Sequence, residues 1–201
     1  MTKLTSRRIS LIVSLLILLI VLVWGGIAAN QRLTRLQRQI DVEWSAIDNE
    51  YQRLADYGSR LAQTASAIPD FDPSAITGIG QAQTVARQIK LDPKRTPIDA
   101  GKLEKFDQAQ AMLSKALFHV VAWRFRHPEI KLTSDFRNAT AQLMDLQTNI
   151  SIVRNRFNEA TLNYNDAVHR FPDSIYAAAF GFNALPTFPL EGSNSASVSS
   201  R

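Results

Sequence analysis

The sequence predicts an all-α protein: an N-terminal transmembrane helix followed by an antiparallel four-helix bundle with long first and last helices. Three observations carry this expectation. Residues 9–29 hold no charged side chain. Two later stretches, Ile40 to Ile68 and Phe136 to Phe171, repeat apolar or small residues at alternating spacings of 3 and 4. That spacing keeps one helix face for packing. Proline marks the ends of the periodic stretches, at Pro69 and Pro73, Pro128 and Pro172. Short connections between long helices favour antiparallel neighbours.

A short basic N-terminus, residues 1–8, leads into the apolar run 9–29. As a helix those 21 residues reach ~31 Å, enough to cross a hydrocarbon core. Fourteen of them are Leu, Ile or Val, which together favour insertion by about 4–8 kcal/mol. Trp24 falls where an amphipathic ring meets the interface. A cleavable signal peptide is the competing reading, because Gly26-Ile27-Ala28 is a small-x-small triplet after a basic start. The run is at the long end for such a peptide, and no break separates it from the helical sequence that follows. An anchor is therefore the expectation. Lys3, Arg7 and Arg8 nearly balance Arg32, Arg35 and Arg38 across it, and long domains translocate largely regardless of charge. The expected arrangement is a cytoplasmic N-terminus and an exported body, residues 30–190, with a Ser-rich disordered tail at 191–201.

The first body helix carries Ile40, Trp44, Ile47, Tyr51, Leu54, Gly58, Leu61, Ala65 and Ile68 on one face. Leu33 and Leu36 extend that face back towards the anchor, so the helix is expected to run on to about Ala67. Ser74 caps a shorter helix to about Ile89, weakened by Gly78 and Gly80. Residues 91–101 hold Pro93, Pro97 and Gly101 and predict a loop. A third helix spans about 102–125 with Leu103, Phe106, Leu113, Leu117 and Val120 inward. The fourth starts at Thr133 or Ser134 and keeps its 3,4 face for five heptads, ending at Phe171-Pro172. The long helices are each about 38 residues, or about 57 Å. Chain parity then returns the fourth helix towards the membrane. The uncharged segment from Ile175 to Phe188 is expected there, as a plug for the end of the bundle or as a lipid contact.

No constellation predicts an active site. The chain has no cysteine, which excludes a thiolate metal site and a cysteine nucleophile. Asp166 and His169 stand at i,i+3, but a di-metal bundle needs Glu-x-x-His on two helices, and that motif is absent. Gly78-Ile79-Gly80 lacks the third glycine of a dinucleotide loop, and no serine sits in a Gly-x-Ser-x-Gly elbow. Asn138-Ala139-Thr140 is a sequon on a predicted helix. No cofactor and no metal are expected. Of the 23 Lys and Arg residues, three precede residue 30, leaving 20 against 18 acids in the body. That near-balance argues against a nucleic-acid partner.

The informative polar residues lie one position beyond each packing face. Gln147, Ser151, Arg154, Asn158, Thr161 and Asn165 form one stripe; Asp41, Ser45, Asp48 and Gln52 form another. They predict an inter-helix hydrogen-bond network that fixes register, with Arg154 paired to Asp48 or Asp56. A ligand-binding stripe is the alternative.

These residues together resemble the LemA family of bacterial membrane proteins. Trp44-Ser45-Ala46-Ile47-Asp48 is similar to that family's Trp-Ser-x-Ile-Asp signature, and Arg53, Asp56, Leu61 and Thr64 continue it. His127-Pro128-Glu129-Ile130-Lys131 is similar to its Tyr-Pro-x-Leu-Lys. The densest part is Ile150, Arg154, Phe157-Asn158-Glu159-Ala160, Tyr164-Asn165, Phe171-Pro172, Ala177, Phe180-Gly181-Phe182 and Phe188. The chain departs from the family at Leu54, Tyr57-Gly58-Ser59-Arg60 and Gln147-Thr148-Asn149. The resemblance implies a membrane-anchored antiparallel four-helix bundle and brings no catalytic residues. Its motif positions here are Trp44, Ile47, Asp48, Arg53, Asp56, Pro128, Arg154, Asn158, Tyr164, Asn165, Phe171, Pro172, Gly181 and Phe182. The expected function is that of a single-pass interaction or scaffold protein of the bacterial inner membrane, not an enzyme. Its partner would be an unknown protein or a second copy, self-associating through the anchor, where Gly25-Gly26 allows close approach, or through the helix seam. The alternative is a ligand- or metal-binding bundle using the polar stripe.

Overall fold

A computed structural model describes residues 2–68, 71–91, 98–127 and 134–189. Five helices occur among them: α1 (Thr2–Ser66), α2 (Pro73–Gln88), α3 (Ala100–Arg126), α4 (Ser134–His169) and α5 (Asp173–Phe180). The all-α class and the two long helices agree with the sequence. Contacts divide the chain into two compact units. One is built from α1 up to Gln39 with Leu162–Ala184, and the other from Ile40–Thr161 with the chain from Leu185 on. The expected disordered tail and Pro128 lie outside the described residues.

In the larger unit, α1 and α4 pack together and run antiparallel. Trp44 meets Phe157, whereas Tyr57 donates to the Ala139 carbonyl oxygen at 2.5 Å. Every apolar face residue named for the first helix from Ile40 on is buried, as are the five named for α3. The aromatic core has two clusters. Trp44, Tyr51, Phe106, Phe157 and Phe188 form one; Phe71, Trp123 and Phe136 form the other, with Phe71 and Trp123 centroids 4.4 Å apart. Asp72 caps α2 by accepting from the Ser74 amide at 2.8 Å, and Pro73 occupies its first turn, where the missing N–H costs nothing.

Gly58 lies where α2 and α3 approach α1 most closely in its neighbourhood. A Cβ there would lie 3.0 Å from Gln83 Nε2, 3.1 Å from Leu117 Cδ2 and 3.4 Å from Ile79 Cγ2. The bare backbone lets α2 and α3 close on α1, and Gln83 donates to the Ala55 carbonyl oxygen at 2.5 Å. Gly58→Leu should therefore destabilise the chain by about 1–3 kcal/mol through overpacking. Urea unfolding followed by circular dichroism checks this; an unchanged midpoint would show that the α1–α2 contact yields freely.

The smaller unit contains the apolar start of α1. From Ile12 to Val23 every Leu, Ile and Val is exposed, between 48% and 70%. Among the described residues this is the one helix long and apolar enough to cross a membrane. Further along, Ala29 and Leu33 are buried.

One expectation needs correction. The fourth helix ends at His169, and Phe171 leaves its packing face to stand 76% exposed. Proline disfavours helical conformation at the residue before it, so Phe171 could not extend the face. The segment after it contains a short helix, α5, at Asp173–Phe180. Gly181 ends α5 with φ +78°, and the Phe182 amide donates back to the Ala177 carbonyl oxygen at 2.9 Å. That is the Schellman arrangement, for which glycine is favoured because a Cβ penalises positive φ.

Candidate functional site

The polar stripe of α4 is where the sequence places its most unusual side chains, and the structure gives most of them a partner within the protein. Arg154 is the centre. Its Nη1 contacts Asp107 Oδ1 on α3 at 2.8 Å and Tyr51 Oη at 3.4 Å, and its guanidinium lies 4.6 Å from the Phe188 ring centroid. The expected pairing with Asp48 or Asp56 is therefore wrong. Asp48 instead accepts from Gln52 at 2.6 Å on the exposed side of α1. Asp107 wins because it follows Phe106, whose ring packs against Trp44 and Tyr51 and draws the carboxylate into the same seam. Both charged side chains are largely desolvated, at 16% and 21% exposure.

One turn on, Asn158 grips the returning chain with both ends of its amide. Nδ2 donates to the Phe188 carbonyl oxygen at 3.0 Å, and Oδ1 accepts from the Phe188 amide at 2.8 Å. This satisfies both backbone groups of a residue outside any helix, and it seats the Phe188 ring between Trp44 and Phe157. Gln147 donates to Ser114 Oγ at 3.0 Å. Thr161 is fully buried, and its hydroxyl has no hydrogen-bond partner.

In the smaller unit, Tyr164 donates to the Asn183 carbonyl oxygen at 3.1 Å. Arg32 pairs with the buried Asp173 at 2.9 Å, and Tyr176 donates to the Leu22 carbonyl oxygen at 3.1 Å. The Asn165 carbonyl lies 2.7 Å from His169 Nδ1, and Asp166 pairs with Arg170. Asp166 and His169 therefore have separate partners. Among the described residues no group of three or more His, Asp or Glu stands close enough to hold a metal ion.

Burial raises the ionisation of Tyr57 and of Tyr164 above the ordinary phenol range, with Arg60 partly opposing the effect at Tyr57. A raised folded-state pKa gives stability that is complete below the unfolded value, about 10, and lost as pH rises through the folded value. Stability should thus stay level to about pH 10 and decline above it. Tyr57→Phe should soften that decline, and urea midpoints measured across pH 8–11 would reveal it. A decline unaffected by the substitution would assign it to other groups.

The α1 stripe plays a different part. Asp41, Ser45, Asp48 and Gln52 border a groove of about 820 Å³. Trp44, Asp56, Arg87, Lys90 and Gln110 complete much of its wall, and Gln110 Oε1 is buried without a hydrogen-bond partner. A smaller groove of about 360 Å³ runs past Arg53, Asp56, Arg60, Gln142 and Asp145. Of the remaining motif positions, Ile47 is fully buried and Arg53 pairs with Glu50 at 2.8 Å. Pro172 is exposed and Phe182 half-buried.

Sequence reasoning missed Asp107, Asp173 and Tyr176. Asp107 was findable, since it stands one position beyond a packing face, the rule that picked out the other two stripes. Asp173 and Tyr176 depend on a short helix that no periodicity announces.

These features define a class: an all-helical protein whose α4 stripe binds the chain's own C-terminal segment, led by a helix with a lipid-compatible start. The chain belongs to the LemA family, whose family model matches residues 43–199. A search of curated proteins finds no match.

Proposed function

We propose that this LemA-family protein is a membrane-tethered helical scaffold of the bacterial cell envelope, held by the start of α1 and working by protein–protein contact rather than by catalysis. The observation that carries the reading is the continuous exposure of apolar side chains from Ile12 to Val23. Water penalises such a surface by about 25 cal/mol per Å², whereas a bilayer does not. Engagement of the α4 stripe by Phe188, Asp107 and Ser114 supports a structural role for that stripe over a ligand site. In this reading the body lies on the exported side, and its partner is an envelope protein or a second copy.

Alkaline carbonate extraction with sequencing of the mature N-terminus tests the tether. Retention in the membrane with residues 1–29 intact is expected. Release of a chain beginning near Ala29 would defeat the reading. Orientation follows from Glu104→Cys in this cysteine-free chain, which an impermeant thiol reagent should label in intact cells. Crosslinking from exposed positions of α1 and α4 in whole membranes would identify the partner.

The 820 Å³ groove favours a second reading, a small-ligand site on the α1 face. Thermal shift against metal ions and small polar ligands separates the two. A ligand at about 100 times its dissociation constant adds about 2.7 kcal/mol of stability.

A further inference from the structure

Helix α5 exposes its larger apolar side chains at one particular place on α1. Tyr176 lies over Gly25 and Gly26, and a Cβ would stand 2.6 Å from its hydroxyl oxygen at Gly25 and 3.2 Å from its ring at Gly26. Phe180 reaches within 3.8 Å of the Gly26 Cβ position. The glycine pair thus seats an aromatic ring of the same chain. The Arg32–Asp173 pair fixes the start of α5 beyond the apolar run.

This seat sets a depth. Leu22 to Gly26 lie seven to three residues inside the apolar run that ends at Ala29. At 1.5 Å per residue that is about 4.5–10.5 Å below its end. Amphipathic helices that lie in a membrane surface bury their apolar face about 5–10 Å into the headgroup–acyl boundary. At that level Ile175 is 59% exposed, Phe180 52% and Trp24 75%, with Phe171 76% exposed just before the helix. No charged residue occurs between Asp173 and Glu191. An aqueous surface would select against three such side chains on one short helix and its approach, whereas the interface selects for aromatic rings.

We propose that α5 and Phe171 form a second membrane contact, lying in the headgroup–acyl boundary beside the emerging α1 and meeting lipid through Phe171, Ile175 and Phe180. The contact rests on the reading of α1 as a membrane span. It makes the protein's hold on the bilayer two-part: a spanning stem and a short interfacial helix. Lipid at the boundary level then biases the unit that α5 shares with the start of α1, through Tyr176 on Gly25 and Gly26 and through the Arg32–Asp173 pair.

The test uses the full chain in phosphatidylcholine–phosphatidylglycerol vesicles. Single cysteines at Ile175→Cys and Phe180→Cys, both exposed sites that tolerate a label, carry an environment-sensitive fluorophore. Leu18→Cys reports the span and Glu104→Cys reports water. Lipids with a nitroxide near the headgroup should quench the α5 probes at least about twofold more than the Glu104 probe, with iodide shielded from them. Nitroxides deep in the acyl region should quench Leu18 best. An α5 probe that behaves like Glu104 while Leu18 is quenched overturns this proposal and leaves the span standing. Failure at Leu18 removes both. Disulfide crosslinking of Phe180→Cys between two chains, without lipid quenching, would assign the face to a second copy and equally overturn it.

Discussion

Trp44→Ala should lower the unfolding free energy by about 3–5 kcal/mol, the range for deleting a buried aromatic side chain. Trp44 is 4% exposed and sits at the meeting point of three helices and the C-terminal segment. Its ring centroid lies 5.2 Å from Phe106, 5.7 Å from Phe157 and 6.2 Å from Phe188, the last with planes 1° apart. The indole Nε1 also donates to the Leu91 carbonyl oxygen at 3.2 Å. Alanine would leave a cavity bordered by rings that cannot collapse, because each is held on a different element, and it would strip the Leu91 carbonyl of its donor. Trp44→Phe should fall between, keeping the ring stack while losing the hydrogen bond and part of the volume. Denaturant unfolding of the full chain in detergent, followed by circular dichroism, decides it. A loss below about 1 kcal/mol for the alanine variant would mean that the cluster repacks and that Trp44 is not its centre.

Asp107→Ala is expected to cost about 3 kcal/mol, near the lower end of the range for breaking a desolvated ion pair. Among the described residues, the variant leaves the Arg154 guanidinium, 16% exposed, with Tyr51 Oη at 3.4 Å and the face of Phe188 as company. The cost is that of an uncompensated charge rather than of one lost contact. Replacing both partners distinguishes these: Asp107→Ala with Arg154→Met should recover most of the loss, since an apolar pair carries no desolvation penalty. A double-mutant cycle gives the coupling directly. If Asp107→Ala costs no more than an exposed pair, about 0.5 kcal/mol, the seam is wetter than its burial implies. The Arg53–Glu50 pair is the internal comparison. Arg53 is 61% exposed and three residues from Glu50, so Arg53→Ala should change stability by only a few tenths of a kcal/mol.

The Arg154 seam also shows why the pairing could not be chosen from sequence. Asp48, Asp56 and Asp107 are all acids near a packing face, and heptad position alone does not say which helix lies beside Arg154. The structure settles that: the Phe188 ring lies 4.6 Å from the guanidinium and packs against Phe106, the residue before Asp107. The same limit hid the role of Asn158. Its stripe position was plain, but the atoms it binds belong to the backbone of Phe188, 30 residues away. Phe171 failed for the opposite reason. It fits the 3,4 spacing perfectly, and a purely local rule, the restriction before proline, removes it from the helix.

What the sequence determined by itself was the apolar start, the helical class, the buried faces of α1, α3 and α4, and the family. Each follows from information local in the chain: run length, periodicity and the residues that stop a helix. Tertiary structure alone decided the Arg154–Asp107 pair, the clamping of Phe188 by Asn158, and the seating of Tyr176 on Gly25 and Gly26. Those depend on which surfaces meet, and that is set by side-chain shape and by the cost of leaving a buried charge or backbone group unpaired.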